Sequence, residues 1–386
     1  FFFKQKTAYE IYQCDWSSDV CSSDLPRQSG RLEFILIAAA AQILFLDSAD
    51  HAAVDLAVRA IRHDPKTAGF AGLVNGSMRN LIRRREEFLE LAAVGEYDTP
   101  AWLMQRWRKY YGHETAQLIS AMHMQEPTLD ITVKSNPDIW AKELDGIVLP
   151  TGSVRLKSYI PVSELAGYAD GEWWVQDAAA SLPARLLRTQ PDERVLDMCA
   201  APGGKTAQLA QTRAHVTALD RSAERLKLLA ANLDRLYLRA SIAVGDAATY
   251  QAAAFDAILI DAPCSATGTI RRHPDVAWTK KTGDLEALTL LQAKMLARAA
   301  SLIRPGGRLV YCTCSLEPEE GEAQIGGFLR RNPDFQREPI SEADGVPMEF
   351  INKEGDLRTL PCYFPNENSR LSGIDGFFAA RLTRKA

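Results

Sequence analysis

Residues 195–206, Val-Leu-Asp-Met-Cys-Ala-Ala-Pro-Gly-Gly-Lys-Thr, constrain the fold of this chain more than any other segment. An apolar run ends at Asp197, a loop of small residues follows, and Thr206 opens a segment of helical character. This order predicts a strand, a tight turn and a helix, the start of a βαβ unit that holds a nucleotide-like ligand. Gly203 and Gly204 carry no Cβ, so their backbone can approach such a ligand closely.

Two better-known nucleotide-binding loops do not fit this segment. A phosphate-binding P-loop requires a glycine five positions before Gly204, where this chain has Cys199. The dinucleotide fingerprint Gly-x-Gly-x-x-Gly is also absent from the sequence. A nucleoside that is not anchored through phosphates fits better. The loop therefore predicts S-adenosylmethionine, with a purely structural βα turn as the alternative.

The next segment supports a ligand-binding sheet. Residues 215–220, His-Val-Thr-Ala-Leu-Asp, predict a second strand that ends in an acid. Asp220 stands 23 residues after Asp197, and an acid at the end of the second strand hydrogen-bonds a ribose diol in doubly wound folds. We therefore expect Asp220 to bind the cofactor's ribose.

Strands and helices are predicted to alternate through the rest of this region. Further strands are expected at residues 241–247, 255–260 and 306–315, and helices at 221–237 and 285–303. The alternation predicts an α/β doubly wound, Rossmann-like domain with a mostly parallel sheet and a ligand at the carboxyl ends of its strands. The polar residues expected at those ends are Asp197, Asp220, Asp246, Asp261, Cys264 and Cys314.

Four motifs resemble those of a known enzyme family. They are Asp-Met-Cys-Ala-Ala-Pro-Gly-Gly-Lys-Thr at 197–206, Asp-Ala-Pro-Cys-Ser-Ala-Thr-Gly-Thr at 261–269, Thr-Cys-Ser at 313–315 and Asp-Gly-Phe-Phe at 375–378. The chain resembles the RNA cytosine-5 methyltransferases of the Nop/Sun type. Within them, it is most similar to the bacterial 16S rRNA methyltransferases that carry an N-terminal NusB-like domain. The resemblance covers about residues 30–386.

The resemblance implies a two-cysteine reaction. Carbon 5 of cytosine is a poor nucleophile until a thiolate adds to carbon 6, and a base must later remove the carbon 5 proton. Cys314 matches the family's nucleophile, and Cys264 matches the cysteine that assists product release. Asp261 is expected to hydrogen-bond the cytosine edge, and Lys205 to steady Asp261 or the substrate.

By the same resemblance, a set of loop and strand-end residues forms the S-adenosylmethionine pocket. The set is Cys199, Ala200, Ala201, Pro202, Gly203, Gly204, Lys205, Asp220, Asp246 and Asp261.

The other cysteines are interpreted as packing residues. Cys312 is expected in the core beside Cys314, and no second ligand pair at usable spacing accompanies these two, so we predict no metal. Cys199 and Cys362 are expected to pack in their loops. DNA cytosine methyltransferases also have a Pro-Cys motif, but they pair it with Glu-Asn-Val. That tripeptide is absent here, which favours RNA.

Four regions are predicted along the chain. Residues 1–26 lack any period, look like translated sequencing-adapter read-through and are expected to be disordered. Residues 27–125 are predicted to be an all-α, NusB-like RNA-binding domain truncated at its start. Residues 126–175 are expected to form a small α+β subdomain that seats RNA, and residues 176–386 the catalytic domain.

Charge and composition limit how the chain can bind its partners. The formal net charge is −4, which is not typical of a general nucleic-acid binder, so RNA contacts must come from local patches. The candidate patches are Arg83–Arg85, Arg106–Lys109, Arg271–His273 and Arg330–Arg331. No membrane partner is expected, because the longest apolar run, residues 34–46, is too short to cross a bilayer. We expect a cytoplasmic monomer.

Two alternatives to an rRNA methyltransferase stay open from the sequence. The same chemistry could act on tRNA, because the catalytic motifs do not separate the two substrates. The chain could instead be a NusB-like binding module with a vestigial methyltransferase fold, although the intact Cys264 and Cys314 argue against decay.

Overall fold

The computed structural model describes residues 31–46, 48–93, 99–158 and 160–386. Residues 1–26, predicted to be disordered, lie outside the described part. The chain divides into two compact units, one up to Arg108 and one from Lys109. Among the described residues, no helix combines the length and apolar character needed to span a membrane.

The first unit is helical, as predicted. Its helices are α1 (Leu32–Phe45), α2 (Asp50–His63), α3 (Ala71–Arg83), α4 (Arg85–Ala93) and the first part of α5 (Ala101–Tyr111). Apolar faces of α1, α2 and α3 bury one core that includes Leu36, Ile61 and Met78. A 3-10 turn precedes α3, and the chain leaves helical geometry at Arg84 before α4 begins.

The second unit begins with the rest of α5, with α6 (His113–His123), and with a small antiparallel sheet. The predicted helical domain extends to residue 125, whereas the division between the units falls before α6. The sheet has the order β2-β3-β1-β4. Its elements are β1 (Asp130–Val133), α7 (Pro137–Glu143), β2 (Gly146–Val148), β3 (Val154–Leu156) and β4 (Trp173–Val175). Trp173 and Trp174 are buried, so both side chains pack in the protein core rather than offering a surface on which an RNA base could stack.

A large sheet dominates the second unit and confirms the predicted fold class. Strands β5 (Arg194–Met198), β6 (His215–Asp220), β7 (Ser241–Val244), β8 (Phe255–Asp261) and β9 (Ile303–Thr313) are parallel. Three further strands, β10 (Phe335–Arg337), β11 (Leu357–Thr359) and β12 (Phe377–Arg384), extend the sheet at one side. The strand order is β10-β12-β9-β8-β5-β6-β7, and β11 pairs with β12. Since β6 and β8 flank β5 on opposite sides, the strand order reverses there, which is where such sheets bind ligands.

Helices follow these strands and cover both faces of the sheet. They are α8 (Leu182–Leu186), α9 (Gly204–Gln211), α10 (Ala223–Arg235), α11 (Val276–Thr279), α12 (Thr282–Leu302) and α13 (Glu322–Arg331). Val195 and Leu259 pack into one apolar layer, and Leu196 and Ile258 into the other. Burial on both faces explains why these strands are continuous apolar runs in the sequence.

Some elements differ from the sequence predictions. The strand expected over 241–247 ends at Val244, so that Asp246 lies in the segment that follows β7. Three strands that were not predicted, β10 (Phe335–Arg337), β11 (Leu357–Thr359) and β12 (Phe377–Arg384), add an antiparallel edge.

Candidate active site

A cavity of about 320 Å³ lies at the carboxyl ends of the parallel strands. It brings together residues that are far apart in the sequence. Seven of the predicted site residues line it: Cys199, Ala201, Asp220, Asp246, Asp261, Cys264 and Cys314. Apolar side chains, including Leu291 and Met295 of α12, and the arginines Arg221 and Arg225 complete the wall. The cavity thus joins acidic groups and two thiols to an apolar surface.

The loop between β5 and α9 supplies only part of its predicted set to this cavity. Pro202, Gly203 and Gly204 line a separate, smaller pocket of about 150 Å³. Gly203 has a φ of +107°, and a Cβ there would lie 2.8 Å from Leu229 Cγ. A glycine is therefore required by the turn and by packing against α10. The Ala200 amide donates to the Leu219 carbonyl at 3.0 Å, which ties the loop to β6.

Asp220 sits at the end of β6 with its carboxylate fixed by backbone donors. Oδ2 accepts from the Ala201 amide at 3.2 Å, and Oδ1 accepts from the Ser222 amide at 2.9 Å. Arg225 Nη1 lies 3.5 Å from Oδ2, and this guanidinium also donates to the Ala201 carbonyl. Arg225 was missed in the sequence, where it reads as an ordinary surface residue in the first turn of a helix.

Asp197 has a structural place beneath the cavity. Its side chain is fully buried and accepts a hydrogen bond from the Thr206 hydroxyl at 2.6 Å, which connects β5 to α9. Burial raises the pKa of Asp197 to about 7, with the Thr206 hydrogen bond opposing this rise. Asp197 is therefore the one predicted strand-end acid that does not line the cavity.

Asp261 is held from below by two buried groups. Lys205 Nζ donates to Oδ2 at 2.8 Å, and the Cys312 thiol donates to Oδ1 at 3.6 Å. Burial alone would lower the pKa of Lys205, but the Asp261 carboxylate outweighs it and raises that pKa, so the lysine stays charged. The ammonium also lies 5.1 Å from the centre of the Phe377 ring. Cys312 is fully buried, as predicted.

The two candidate catalytic cysteines adjoin each other. Cys264 follows β8, Cys314 follows β9, and their sulfur atoms are 3.5 Å apart. The hydrogen bond with Cys314, and then burial, raise the pKa of Cys264 well above its usual value. Cys264 is therefore a neutral thiol near pH 7, and its S–H can donate to the Cys314 sulfur.

A buried carboxylate beneath the cysteines was also missed. Glu320 is fully buried and accepts hydrogen bonds from Ser265 and Ser315, the residues that follow Cys264 and Cys314. Nothing in the local sequence Pro-Glu-Glu-Gly distinguishes Glu320 from its exposed neighbour Glu319. Its partners are supplied by the fold alone.

The predicted phosphate contact by Arg271 and Arg272 is wrong. Arg271 is 4% exposed, and Arg272 donates to Asp177 at 2.7 Å and to Asp375 at 3.1 Å. Both guanidinium groups are needed inside the protein to neutralise buried carboxylates.

A third arginine lies buried in the same region. Arg155 of β3 binds both carboxylate oxygens of Asp130, at 2.7 and 2.8 Å, and donates to the Gly373 carbonyl at 2.7 Å. These contacts fix the small sheet to the segment that precedes β12.

The chain is similar to known protein families in both of its parts. The profile of the family 16S rRNA methyltransferase RsmB/F matches residues 184–383, and that of the NusB family matches residues 12–83. The curated Ribosomal RNA small subunit methyltransferase B of Shewanella oneidensis is 36% identical over 364 residues, which cover 91% of this chain and 82% of that protein.

Solved structures share the fold. The crystal structure of PH0851 matches with a TM-score of 0.77 and 25% identity, covering 99% of this chain and 88% of that chain. NSun6 from Pyrococcus horikoshii, solved with SFG, matches with a TM-score of 0.61 and 21% identity, covering 74% of this chain and 98% of that chain. The matched RsmB/F family consists of S-adenosylmethionine-dependent methyltransferases, in agreement with the cofactor predicted from the βα loop. This chain belongs to the 16S rRNA methyltransferase RsmB/F family.

Proposed function

We propose that the protein forms 5-methylcytosine in small-subunit rRNA through a covalent step on Cys314, with Cys264 assisting release. The observation that carries the proposal is the 3.5 Å approach of the two cysteine sulfur atoms at the wall of a cavity that also contains Asp261. One thiol alone would fit many roles. Two thiols beside an acid fit a reaction in which a bond to sulfur is made and later broken.

The acceptor groups and apolar side chains that line the cavity suit S-adenosylmethionine. Asp220 offers acceptor oxygens for a ribose diol, and Leu291 and Met295 offer apolar surface for an adenine ring. A Cβ at Gly245 would lie 3.2 Å from Leu219 Cδ1, so a side chain there would crowd the wall beside Asp246. When bound, the cofactor supplies an electrophilic methyl group on a sulfonium.

The chain's own residues then divide the work on cytosine. The Cys314 sulfur adds to carbon 6, which makes carbon 5 nucleophilic. A protonated Cys264 can donate to the Cys314 sulfur, which would stabilise negative charge there before attack. After methylation, a base takes the carbon 5 proton, the electrons of that C–H bond re-form the double bond between carbons 5 and 6, and Cys314 leaves as a thiolate. We assign the assistance of that release to Cys264, which acts as the base once it has lost its own proton to solvent.

Asp261 is proposed to bind the edge of the cytosine ring. Lys205 and the Cys312 thiol each occupy one of its oxygens, so the carboxylate is oriented before substrate arrives. Each oxygen keeps further acceptor capacity for the exocyclic amine, and for N3–H once that nitrogen is protonated. Asp261 can therefore orient the ring without moving and, by accepting from N3–H, favour the protonated ring that takes up the electrons of the thiolate addition.

The substrate class is proposed from the family and from the N-terminal region. The NusB match and the helical first unit support an RNA-binding domain ahead of the catalytic domain, with the small sheet seating the RNA. We propose the boundaries 27–125, 126–175 and 176–386 for these three regions.

Methyl transfer to two RNA pools tests the proposal. Purified protein is incubated with radiolabelled S-adenosylmethionine and either small-subunit rRNA or bulk tRNA, and the product nucleoside is identified by mass spectrometry. We expect 5-methylcytosine in rRNA. Label only in tRNA would show that the substrate is tRNA rather than rRNA. A methyl group at any atom other than carbon 5 of cytosine would refute the cysteine chemistry.

A Cys264→Ala variant, run on a denaturing gel, tests the assigned roles. We expect a slow-migrating protein–RNA adduct, because the bond to Cys314 forms but is not released. Cys362→Ala, in a half-buried loop position away from the cavity, is the matched control and should give no adduct. A fully active, adduct-free Cys264→Ala protein would overturn the assignment.

A further inference from the structure

We infer that Glu320 is a positioning residue that holds the two cysteine-bearing loops at a fixed separation; its catalytic meaning rests on the proposed function. Glu320 lies in the 3-10 turn before α13, and its side chain is fully buried. It is not part of the cavity wall, so it acts through other residues rather than on the substrate.

The Glu320 carboxylate connects both loops directly. The Ser265 amide donates to Oε1 at 2.9 Å and to Oε2 at 3.1 Å, while the Ser315 hydroxyl donates to Oε2 at 2.6 Å. The two serine hydroxyl oxygens are themselves 3.0 Å apart. Ser265 and Ser315 are the residues next to Cys264 and Cys314, so this single carboxylate sets the relative position of the two thiols.

Glu320 is in turn fixed by rigid elements. Its backbone carbonyl accepts from the buried Tyr311 hydroxyl of β9 at 2.8 Å. Gln292 of α12 donates to Oε1 at 2.9 Å and also to the Pro263 carbonyl at 2.9 Å, immediately before Cys264. Strand, helix and both loops therefore meet at this one side chain.

The chemistry of these contacts favours a carboxylate. The groups that face it all donate to it here: an amide N–H, two hydroxyl groups and a side-chain amide. The two oxygens of a carboxylate accept from all of them. In a glutamine of the same shape, an NH₂ group would face the Ser265 amide N–H or the Gln292 amide, and serine hydroxyls beside it would have to rotate to accept from it, so we expect the two loops to shift.

The separation of the thiols matters for rate because displacing reacting groups by about 1 Å can cost about 100-fold. Glu320→Gln is therefore expected to lower kcat by about 10- to 100-fold, with little change in KM for RNA. The double variant Ser265→Ala/Ser315→Ala keeps the Glu320 charge but removes the hydroxyl contacts, and is expected to lower kcat comparably. Because all three side chains act as one unit, adding Glu320→Gln to the serine pair should change kcat little further.

A second readout is independent of methyl transfer. The pH midpoint for alkylation of Cys264 by iodoacetamide, followed by peptide mass spectrometry, reports its contact with the Cys314 sulfur. We expect this midpoint to lie above that of an ordinary thiol in the wild type, and to fall by about one pH unit or more in the serine pair. Glu319→Gln changes an exposed neighbouring carboxylate and should behave as the wild type in both readouts.

The outcomes separate the two proposals. A wild-type midpoint and wild-type kcat in the serine pair would overturn the positioning role. A midpoint that falls in Glu320→Gln but not in the serine pair would also overturn it, because loss of charge alone would then explain the change. If Glu320→Gln does not fold, the serine pair decides. If the midpoints fall but the wild type methylates neither RNA, positioning stands and the proposed function fails.

Discussion

The acidic side of the cavity and its cysteine side are built in different ways. Asp220 is held by amides of residues close to it in the βα turns, at Ala201 and Ser222. The cysteine loops are held by buried side chains from distant strands and helices, with Glu320 at the centre. Substitutions on the acidic side should therefore mainly weaken cofactor binding. Substitutions on the cysteine side should instead change the relative position of the two thiols.

The largest effect is expected from removing the nucleophile. Cys314→Ala should abolish methyl transfer, because no bond to carbon 6 can form, while S-adenosylmethionine still binds with a Kd near that of the wild type. Calorimetry and methyl-transfer assays on the same sample measure both quantities. Measurable turnover by Cys314→Ala would contradict the role of Cys314 as nucleophile, and with it the distinction between a cysteine side that reacts and an acidic side that binds cofactor.

A crowded glycine tests the rigidity of the cysteine side. A Cβ at Gly268 would lie 1.9 Å from the Gly376 carbonyl oxygen, which belongs to backbone and cannot move aside cheaply. Gly268→Ala should lower the free energy of unfolding by about 1–3 kcal/mol, measured by urea denaturation. Gly283→Ala in α12, where nothing lies within 4 Å, is the control and should be neutral or stabilising. Equal stabilities would show that the loop is not tightly packed.

The acidic side is tested by Asp220→Asn. This change removes the negative charge and turns an NH₂ group toward one of the two backbone N–H donors, so we expect a roughly tenfold weaker Kd for S-adenosylmethionine with a modestly lower melting temperature. The control is Asp234→Asn, a change late in α10 away from the cavity. A loss of kcat at saturating cofactor, without a change in Kd, would contradict the proposed binding role of Asp220.

The last prediction concerns the pH dependence of stability through Asp197. Burial raises its pKa to about 7, so the folded state binds a proton more tightly than the unfolded state. This contribution is fully present below the ordinary carboxyl range and is lost as the pH rises through about 7. Asp197→Asn should therefore gain stability relative to the wild type between pH 4 and 7, by about 1.4 kcal/mol for each pKa unit realised. A difference that stays constant with pH would contradict this interpretation.

Sequence patterns predicted those parts that depend on neighbours along the chain. The buried strands β5, β6 and β8 appear where the sequence pattern placed them, and three of the four strand-end acids meet at one cavity. The failures share a physical cause. Arg271 and Arg272 have the composition of a surface patch, but the fold surrounds them with Asp177 and Asp375.

Glu320 illustrates the same limit within the site. Two adjacent glutamates have the same local sequence context, and only tertiary structure buries one of them against two serines. The short edge strands β10 and β11, with three residues each, likewise carry too little pattern to be predicted.

The buried ion pairs between the small sheet and the segment before β12 have a mechanical consequence for catalysis. Separating Arg155 from Asp130, or Arg272 from Asp177, would strand a buried charge at a cost of about 3–5 kcal/mol for each pair. Unstacking one nucleotide costs only a few kcal/mol. In the proposed reaction, we therefore expect this part of the protein to keep its shape when a cytosine enters the cavity, and the RNA to change its conformation instead.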